Sequence, residues 1–184
     1  MADSNITKKA LAEAMKKLMS EKQFSKITVG DICELCDMNR KSFYYHFKDK
    51  YDLVNWIFDI EFISVIRKKS YNDSWDVLKA LFLYFEQNKE FYKKALSVDD
   101  YNSFREHFRK LLSDIFLPRI DIILANEDIE LRKKTFCINL LSDGFIAATK
   151  RWLTGKENIS AEEFCEYLQF ILQKVGTKYG QKAP

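Results

Sequence analysis

Arg40, Lys41, Lys48 and Lys50 fall within one short stretch, Met38 to Lys50, reading MNRKSFYYHFKDK, where Asp49 is the lone acid. The whole chain carries 30 lysines and arginines against 27 aspartates and glutamates, a formal charge of +3. This stretch holds all of that excess, and the rest of the chain is balanced. Phe43, Tyr44, Tyr45, His46 and Phe47 are interleaved with the cations. Cations suit phosphate oxygens, and flat rings with short polar groups suit positioning and base edges, so the stretch has the chemistry of a nucleic-acid reader. A chain that is neutral elsewhere takes its anionic partner at one place.

The elements that must position these residues are helical. The chain has only five glycines and two prolines in 184 residues, and its apolar residues recur at three and four rather than at two. The fold class expected is all-α, with about nine helices. A first helix from Asn5 or Thr7 to Lys22 carries one apolar stripe, Leu11, Ala14, Met15, Leu18 and Met19, with Lys8, Lys9, Lys16 and Lys17 opposite. Thr28 followed by Asp31 reads as a capping box for a second helix, Val29 to Leu35, that buries Val29, Ile32 and Cys33. Asn39 caps a third, Arg40 to Phe47, and Asp49 with Asp52 caps a fourth. Two short helices about three residues apart, the second one basic, have the spacing of a helix-turn-helix.

The fourth helix, Lys50 to Lys69, is apolar on more than one side and reads as a connector (51–69) between two domains. The domains expected are a helix-turn-helix at 1–50 and a larger C-terminal helical domain at 51–184. In the latter, helices run from Ser74 to Gln87, Glu90 to Leu96, Asn102 to Ile123 with a kink or break at Pro118, Glu127 to Leu153, and Ala161 to Val175. Gly155 is a left-handed stop, and Ser160 with Glu163 a further capping box. No apolar run is long enough to span a membrane and no signal peptide is visible, so a cytoplasmic location is expected and no membrane partner.

The residues Ile27 to Leu53, ITVGDICELCDMNRKSFYYHFKDKYDL, resemble the DNA-binding domain of the TetR family of bacterial transcription regulators. The likeness rests on the Ile-Thr-Val entry, Asp31-Ile32, the aromatic run at 43–47, and Lys50 followed by Leu53. The wording from Phe24 through Tyr101, including NRKSFYYHFKDKYDLVNWIF and NKEFYKKALSVDDYNSF, is most similar to the dihydroxyacetone-kinase operon activators within that family. Two positions depart from the family pattern: Asp37 stands where glycine is frequent, at a turn that needs positive φ, and Cys33 stands where alanine is usual.

The resemblance implies that Thr28 caps the supporting helix and touches phosphate. It implies base-edge contacts from Asn39, Arg40, Lys41 and Ser42, phosphate or thymine contacts from Tyr44, Tyr45 and His46, and a phosphate contact from Lys50. Phe43 and Phe47 are expected in the core, and Tyr44 has a packing role as its alternative. Arg40 and Lys41 are the candidates for guanine, whose O6 and N7 accept from cationic donors. In the C-terminal domain the resemblance implies an effector pocket for a small molecule or a protein, with Tyr84, Asn88, Tyr92, His107, Asn139, Asp143 and Trp152 as candidate lining.

Two further readings come from the residues themselves. Phe136, Leu140, Gly144, Phe145, Ala148, Trp152, Phe164, Leu168, Ile171 and Leu172 offer more apolar surface than one small domain hides, and with the family likeness they read as a two-fold helical interface. Cys33 and Cys36 form a CxxC, but four metal ligands with matching spacing are not available, and the pair falls on a helix rather than a strand and turn. They read as small buried side chains. There is no Gly-rich phosphate loop, no paired carboxylates in an apolar setting and no nucleophile with an evident base, so neither enzymatic activity, a cofactor nor a metal is expected. The function expected is that of a homodimeric, sequence-specific regulator on a palindromic double-stranded operator. Its alternative is a co-regulator that keeps the fold but works through protein contacts.

Overall fold

With so few helix breakers, long amphipathic segments can form without interruption, and they do. A computed structural model describes residues 2–69, 71, 73–98, 100, 103–123 and 130–179, without the side chains of 2, 3, 74, 119, 122, 123, 172 and 175–179. The described residues are helical and contain no strand: α1 (Ala2–Glu21), a 3-10 turn (Phe24–Lys26), α2 (Val29–Leu35), α3 (Arg40–His46), α4 (Lys50–Phe58), a π turn (Asp59–Ile63) and α5 (Ser64–Ile66) come first. After them come α6 (Ser74–Gln87), α7 (Lys89–Ala95), α8 (Phe104–Ile123), α9 (Leu131–Leu153) and α10 (Ala161–Tyr179). The chain forms two compact units, Met1–Ser70 with Asn88–His107, and Tyr71–Gln87 with Phe108–Pro184.

In the first unit the α1 stripe Leu11, Ala14, Met15, Leu18 and Met19 is buried, together with Phe24, Ile27, Ile32, Phe43, Phe47 and Leu53. Each fully buried large side chain contributes roughly 1.5–3 kcal/mol of transfer free energy, which is what holds short helices that could not stand alone. Phe58 sits fully buried among aromatic rings, stacked on Phe62 at 5.3 Å and edge-on to Phe104 at 5.1 Å and Tyr92 at 6.0 Å. Val29, expected inside, is half-buried. Two lysines fasten the connection between α1 and α2. One of them, Lys94 of α7, donates to the carbonyls of Met19 (2.5 Å), Lys22 (3.2 Å) and Ser20 (3.4 Å), capping carbonyls that the end of α1 leaves unpaired. The other, Lys50, is the first residue of α4.

Where a regular helix from Lys50 to Lys69 was expected, the helix widens into the π turn. The extra residue shifts the register of α5 relative to α4, and both acids of the turn are tied down. Asp59 Oδ1 lies 2.7 Å from His107 Nε2, and Glu61 pairs with Lys16.

The second unit is organised around an aromatic cluster. Trp152 stacks on Phe164 with ring centroids 5.0 Å apart and planes within 9°, and Phe82 meets both edge-on at 5.9 and 4.9 Å. Trp152 Nε1 donates to Ile159 O at 3.0 Å, satisfying the one polar atom of that ring. Pro118 lies inside α8 and does not end it. α9 closes at Gly155, whose φ is +74°, with its N–H on Trp152 O. The Ser160 and Glu163 box opens α10, with Glu163 N donating to Ser160 Oγ and Ser160 N donating to Glu163 Oε2. The start expected for α9, at Glu127, and the tail beyond Tyr179 lie outside the described residues.

Candidate nucleic-acid interface

Three local caps build the segment from α2 to α4. Thr28 Oγ1 accepts from Asp31 N at 3.1 Å while Thr28 N donates to Asp31 Oδ2 at 2.7 Å, a complete capping box at the start of α2. Asn39 Oδ1 accepts from Ser42 N at 2.8 Å and starts α3. Asp49 Oδ1 accepts from Tyr51 N and Asp52 N at 2.8 Å and starts α4. Between α2 and α3 the chain closes on Asp37, at φ +54°. Met38 N donates to Cys33 O and Asp37 N to Glu34 O, the paired bonds of a Schellman stop, in which the residue at this position must be left-handed. Aspartate tolerates that conformation at modest cost.

These caps fix which side of α3 faces water. Phe43 is fully buried and Phe47 nearly so, whereas Asn39, Arg40 and Lys41 are exposed and Ser42 and His46 half-exposed. Tyr44 is 57% and Tyr45 83% exposed, so Tyr44 faces outward rather than into the core. The Tyr45 and His46 rings meet edge-on at 4.9 Å. The charge and the rings therefore share one surface. An open groove of about 440 Å³ runs beside it, lined by Thr28, Gly30, Asp31, Cys33, Glu34, Met38, Asn39 and Arg40.

Two expected phosphate contacts have other work. Lys50, half-buried, donates to Ile27 O (2.8 Å), Phe24 O (2.9 Å) and Ser25 O (3.3 Å). An ammonium has three donors, and all three are spent on the backbone of the 3-10 turn. Burial pushes the Lys50 pKa down, against the pull of Asp31 and Asp49. Lys50 therefore fastens the turn to α4, and the expected phosphate contact would have to displace these bonds. Thr28 caps α2 as expected, but its hydroxyl also donates to Asp31 Oδ2 at 2.8 Å, so its one proton is already engaged.

The Asp31 carboxyl is held below its ordinary pKa by the Thr28 backbone N–H, the Thr28 hydroxyl and Lys22 at 3.3 Å. A carboxyl depressed in the folded state contributes stability above its ordinary pKa and loses it as the pH falls through the folded value. Protection of the α2 amides against hydrogen exchange is therefore expected to hold at neutral pH and to decline only below about pH 4. Asp31→Asn is expected to remove that acid-dependent step. A wild-type profile flat to about pH 2 would contradict it.

Cys33 is buried and Cys36 half-buried, and Cys36 Sγ donates to Ile32 O at 3.2 Å. Burial pushes both thiols up, which suits small packed side chains.

The candidate effector residues divide between the units. In the first, Tyr92 is a fully buried ring against Phe58 and Phe104, His107 pairs with Asp59, and Asn88 supplies its carbonyl to the first turn of α7. In the second, Asn139 is exposed, Tyr84 is half-buried, Asp143 pairs with Arg109, and Trp152 belongs to the aromatic core. Tyr92 and Trp152 are thus corrected from candidate lining to packing residues, because their rings are enclosed by other aromatics. Sequence reasoning missed a polar line inside the second unit. Ser142 and Thr149 are both fully buried on α9, and Ser142 Oγ lies 3.5 Å from Ser113 Oγ. Two hydroxyls seven apart on an otherwise apolar helix face were the available signal. Thr149 Oγ1 has no hydrogen-bond partner among the described residues. Thr149→Val keeps the shape and removes the unmet hydroxyl, and is expected to raise stability by about 1 kcal/mol in thermal or urea unfolding. A loss of that size would mean that the hydroxyl is satisfied in solution.

The expected two-fold surface also separates. Phe145, Trp152 and Phe164 are buried within their own unit, Phe145 against Phe116 at 4.6 Å, and are corrected to core. Phe136 (66%), Leu140 (60%) and Ile171 (54%) are exposed, with Gly144 beside them and Ala148 and Leu168 half-buried. A Cβ built on Gly144 would meet nothing within 4 Å, so no neighbour among the described residues requires the glycine. Leu131, Tyr167 and Phe170 extend the exposed apolar surface. The side chain of Leu172 lies outside the described residues.

Comparison with known proteins agrees with this arrangement. Residues 8–57 match the family of bacterial regulatory proteins, tetR family, and residues 73–174 match a transcriptional regulator C-terminal region. Over 100 residues the chain is 35% identical to the HTH-type dhaKLM operon transcriptional activator DhaS of Lactococcus lactis subsp. lactis (strain IL1403), a match covering 54% of each protein. The chain thus spans about half the length of the curated relative it matches. A solved TetR transcriptional regulator from Streptococcus agalactiae 2603V superposes with a TM-score of 0.67 at 27% identity, covering 90% of this chain and 93% of that one. A solved dihydroxyacetone kinase operon activator DhaS shares the fold, with a TM-score of 0.65 at 24% identity over 94% of this chain and 97% of the other. The families and relatives matched are transcriptional regulators rather than enzymes. With family matches over residues 8–57 and over its C-terminal region, the chain belongs to the TetR family of bacterial transcriptional regulators.

Proposed function

We infer that this regulator works as a homodimer on a palindromic double-stranded operator. Each subunit presents α3 to a major groove from residues 1–50, under the control of a small molecule or protein partner acting through residues 51–184. The observation that carries the reading is the division of α3. A seven-residue helix buries Phe43 and leaves Asn39, Arg40, Lys41, Tyr44 and Tyr45 to solvent. Side chains of that kind on a helix anchored from behind match the donor and acceptor pattern of base edges and phosphates. A two-fold axis through the exposed stripe of α9 and α10 would double the reading head and set half-sites about one helical turn apart. The likeness to an operon activator supports action at an operon.

The test is a gel-shift on DNA flanking the gene. Wild type is expected to select one sequence, and the combined Arg40→Ala, Lys41→Ala and His46→Ala variant to lose both affinity and preference while keeping its fold. Unchanged binding by that variant would sink the reading. Wild-type binding without sequence preference, beside strong capture of a purified protein partner, would point to a co-regulator instead.

A further inference from the structure

We propose that Gly30 sets the DNA preference of this regulator by seating the guanidinium of Arg40 against the first turn of α2. The inference rests on the DNA-reading function proposed for α3. A Cβ built on Gly30 would lie 2.7 Å from Arg40 Nη2 and 3.4 Å from both Cζ and Nε. Those atoms make up most of the guanidinium plane, so the group lies across the glycine and fills the place of a side chain. A real Cβ does not approach another heavy atom within 3.0 Å, and any other residue at 30 would have to move the arginine.

The backbone does not explain the glycine. Gly155 is the glycine with positive φ among the described residues, and Gly30 is the second residue of an ordinary helix. Glycine is a poor helix former, so the helix itself gives no reason for it there. What uses the missing side chain is the guanidinium. Cys33, one turn further along the same face, feels the same cation, whose charge opposes the upward push of burial on the thiol. The seat is therefore made by Gly30, Arg40 bridges from α3 to reach it, and Cys33 lines the same groove.

This placement decides where the donors point. Arg40 is the first residue of α3, and its side chain can extend away from the domain or fold back over α2. Folded back, it lines the same groove as Thr28 and Asn39. A planar fork held in one place can select one pair of acceptors, such as O6 and N7 of a guanine, where a free arm would sample several. An alanine at 30 would push the fork out of its seat and change which base pair it reaches.

The experiment measures the base preference of the full-length protein on a randomised operator library, for wild type, Gly30→Ala, Arg40→Ala, Arg40→Lys and the double variant Gly30→Ala with Arg40→Ala. Wild type is expected to discriminate by roughly tenfold at one position of each half-site. Gly30→Ala is expected to lose or change the preference at that position only. Arg40→Ala and Arg40→Lys are expected to lose it too, and the double variant to match Arg40→Ala. Alanine favours helix, so the thermal midpoint of Gly30→Ala should not fall, and Arg40→Lys provides a variant in which α2 is untouched. In parallel, NMR spectra of the DNA-free protein should show contacts between the Arg40 side chain and the Gly30 Hα protons in wild type, and a shifted Arg40 Nε–H signal in Gly30→Ala. Preference unchanged in Gly30→Ala, or an equal effect of Gly30→Ala with and without Arg40, would overturn the proposal while leaving the DNA-reading function intact. A wild type with no preferred sequence would overturn both.

Discussion

Phe136→Glu combined with Leu140→Glu is expected to leave the protein monomeric at micromolar concentration, with its helices and thermal midpoint nearly unchanged. The two side chains stand one turn apart on α9 and are 66% and 60% exposed, so within the subunit they have little to lose. Surface changes of this kind usually alter stability by no more than about 0.5 kcal/mol. Across a two-fold axis the arithmetic differs, because each substitution appears twice. Four carboxylates brought into an apolar contact, at roughly 2 kcal/mol or more each, would weaken association by on the order of 100,000-fold or more. Sedimentation velocity reads the mass, and the gel-shift should show half-site binding at best. Trp152→Ala makes the contrast. Its ring is stacked on Phe164 inside the subunit, so its removal should lower stability by about 3–5 kcal/mol. A variant of Phe136 and Leu140 that remains dimeric would place the two-fold contact elsewhere on the molecule.

That contrast separates what could be read in the amino-acid sequence from what could not. Periodicity identified the apolar faces of α9 and α10 as needing cover. It could not say whether the cover comes from the same chain, as for Phe145, Trp152 and Phe164, or has to come from another. The caps were legible because their partners lie three residues away or less: Thr28 with Asp31, Asn39 with Ser42, Asp49 with Asp52, Ser160 with Glu163. The left-handed turn at Asp37 was legible only through the family likeness, in which glycine is frequent at that position. The lysine contacts were not, because Lys94 reaches carbonyls more than seventy residues away and Lys50 more than twenty. A lysine that crosses the fold to find carbonyls has no local signature. The Gly30 seat is another such case. The glycine stands inside a capped helix, but its purpose depends on the rotamer of Arg40 on the next helix and has no signature in the residues alone.

Lys50 is where the two kinds of inference can be set against each other. Family likeness implied a phosphate contact, whereas the fold spends its three donors on Phe24, Ser25 and Ile27. Lys50→Met keeps the length of the stem and removes only the charged head, which also lies 4.8 Å from the centre of the Phe24 ring. If the ammonium holds the 3-10 turn to α4, three carbonyls lose a charged donor, and stability should fall by about 2–4 kcal/mol. Water reaching the partly exposed turn would keep the loss toward the lower end. Operator binding, measured below the unfolding temperature, should retain its salt dependence. If instead Lys50 binds phosphate, stability should change little, and the slope of log affinity against log salt should fall by about 0.9 for each subunit. A mixed outcome is also informative, since a lysine that turns from carbonyls to phosphate would have to forfeit the bonds that hold the 3-10 turn to α4. The first result is expected: the lysine beside the reading helix acts on DNA through the shape it imposes rather than by touching it.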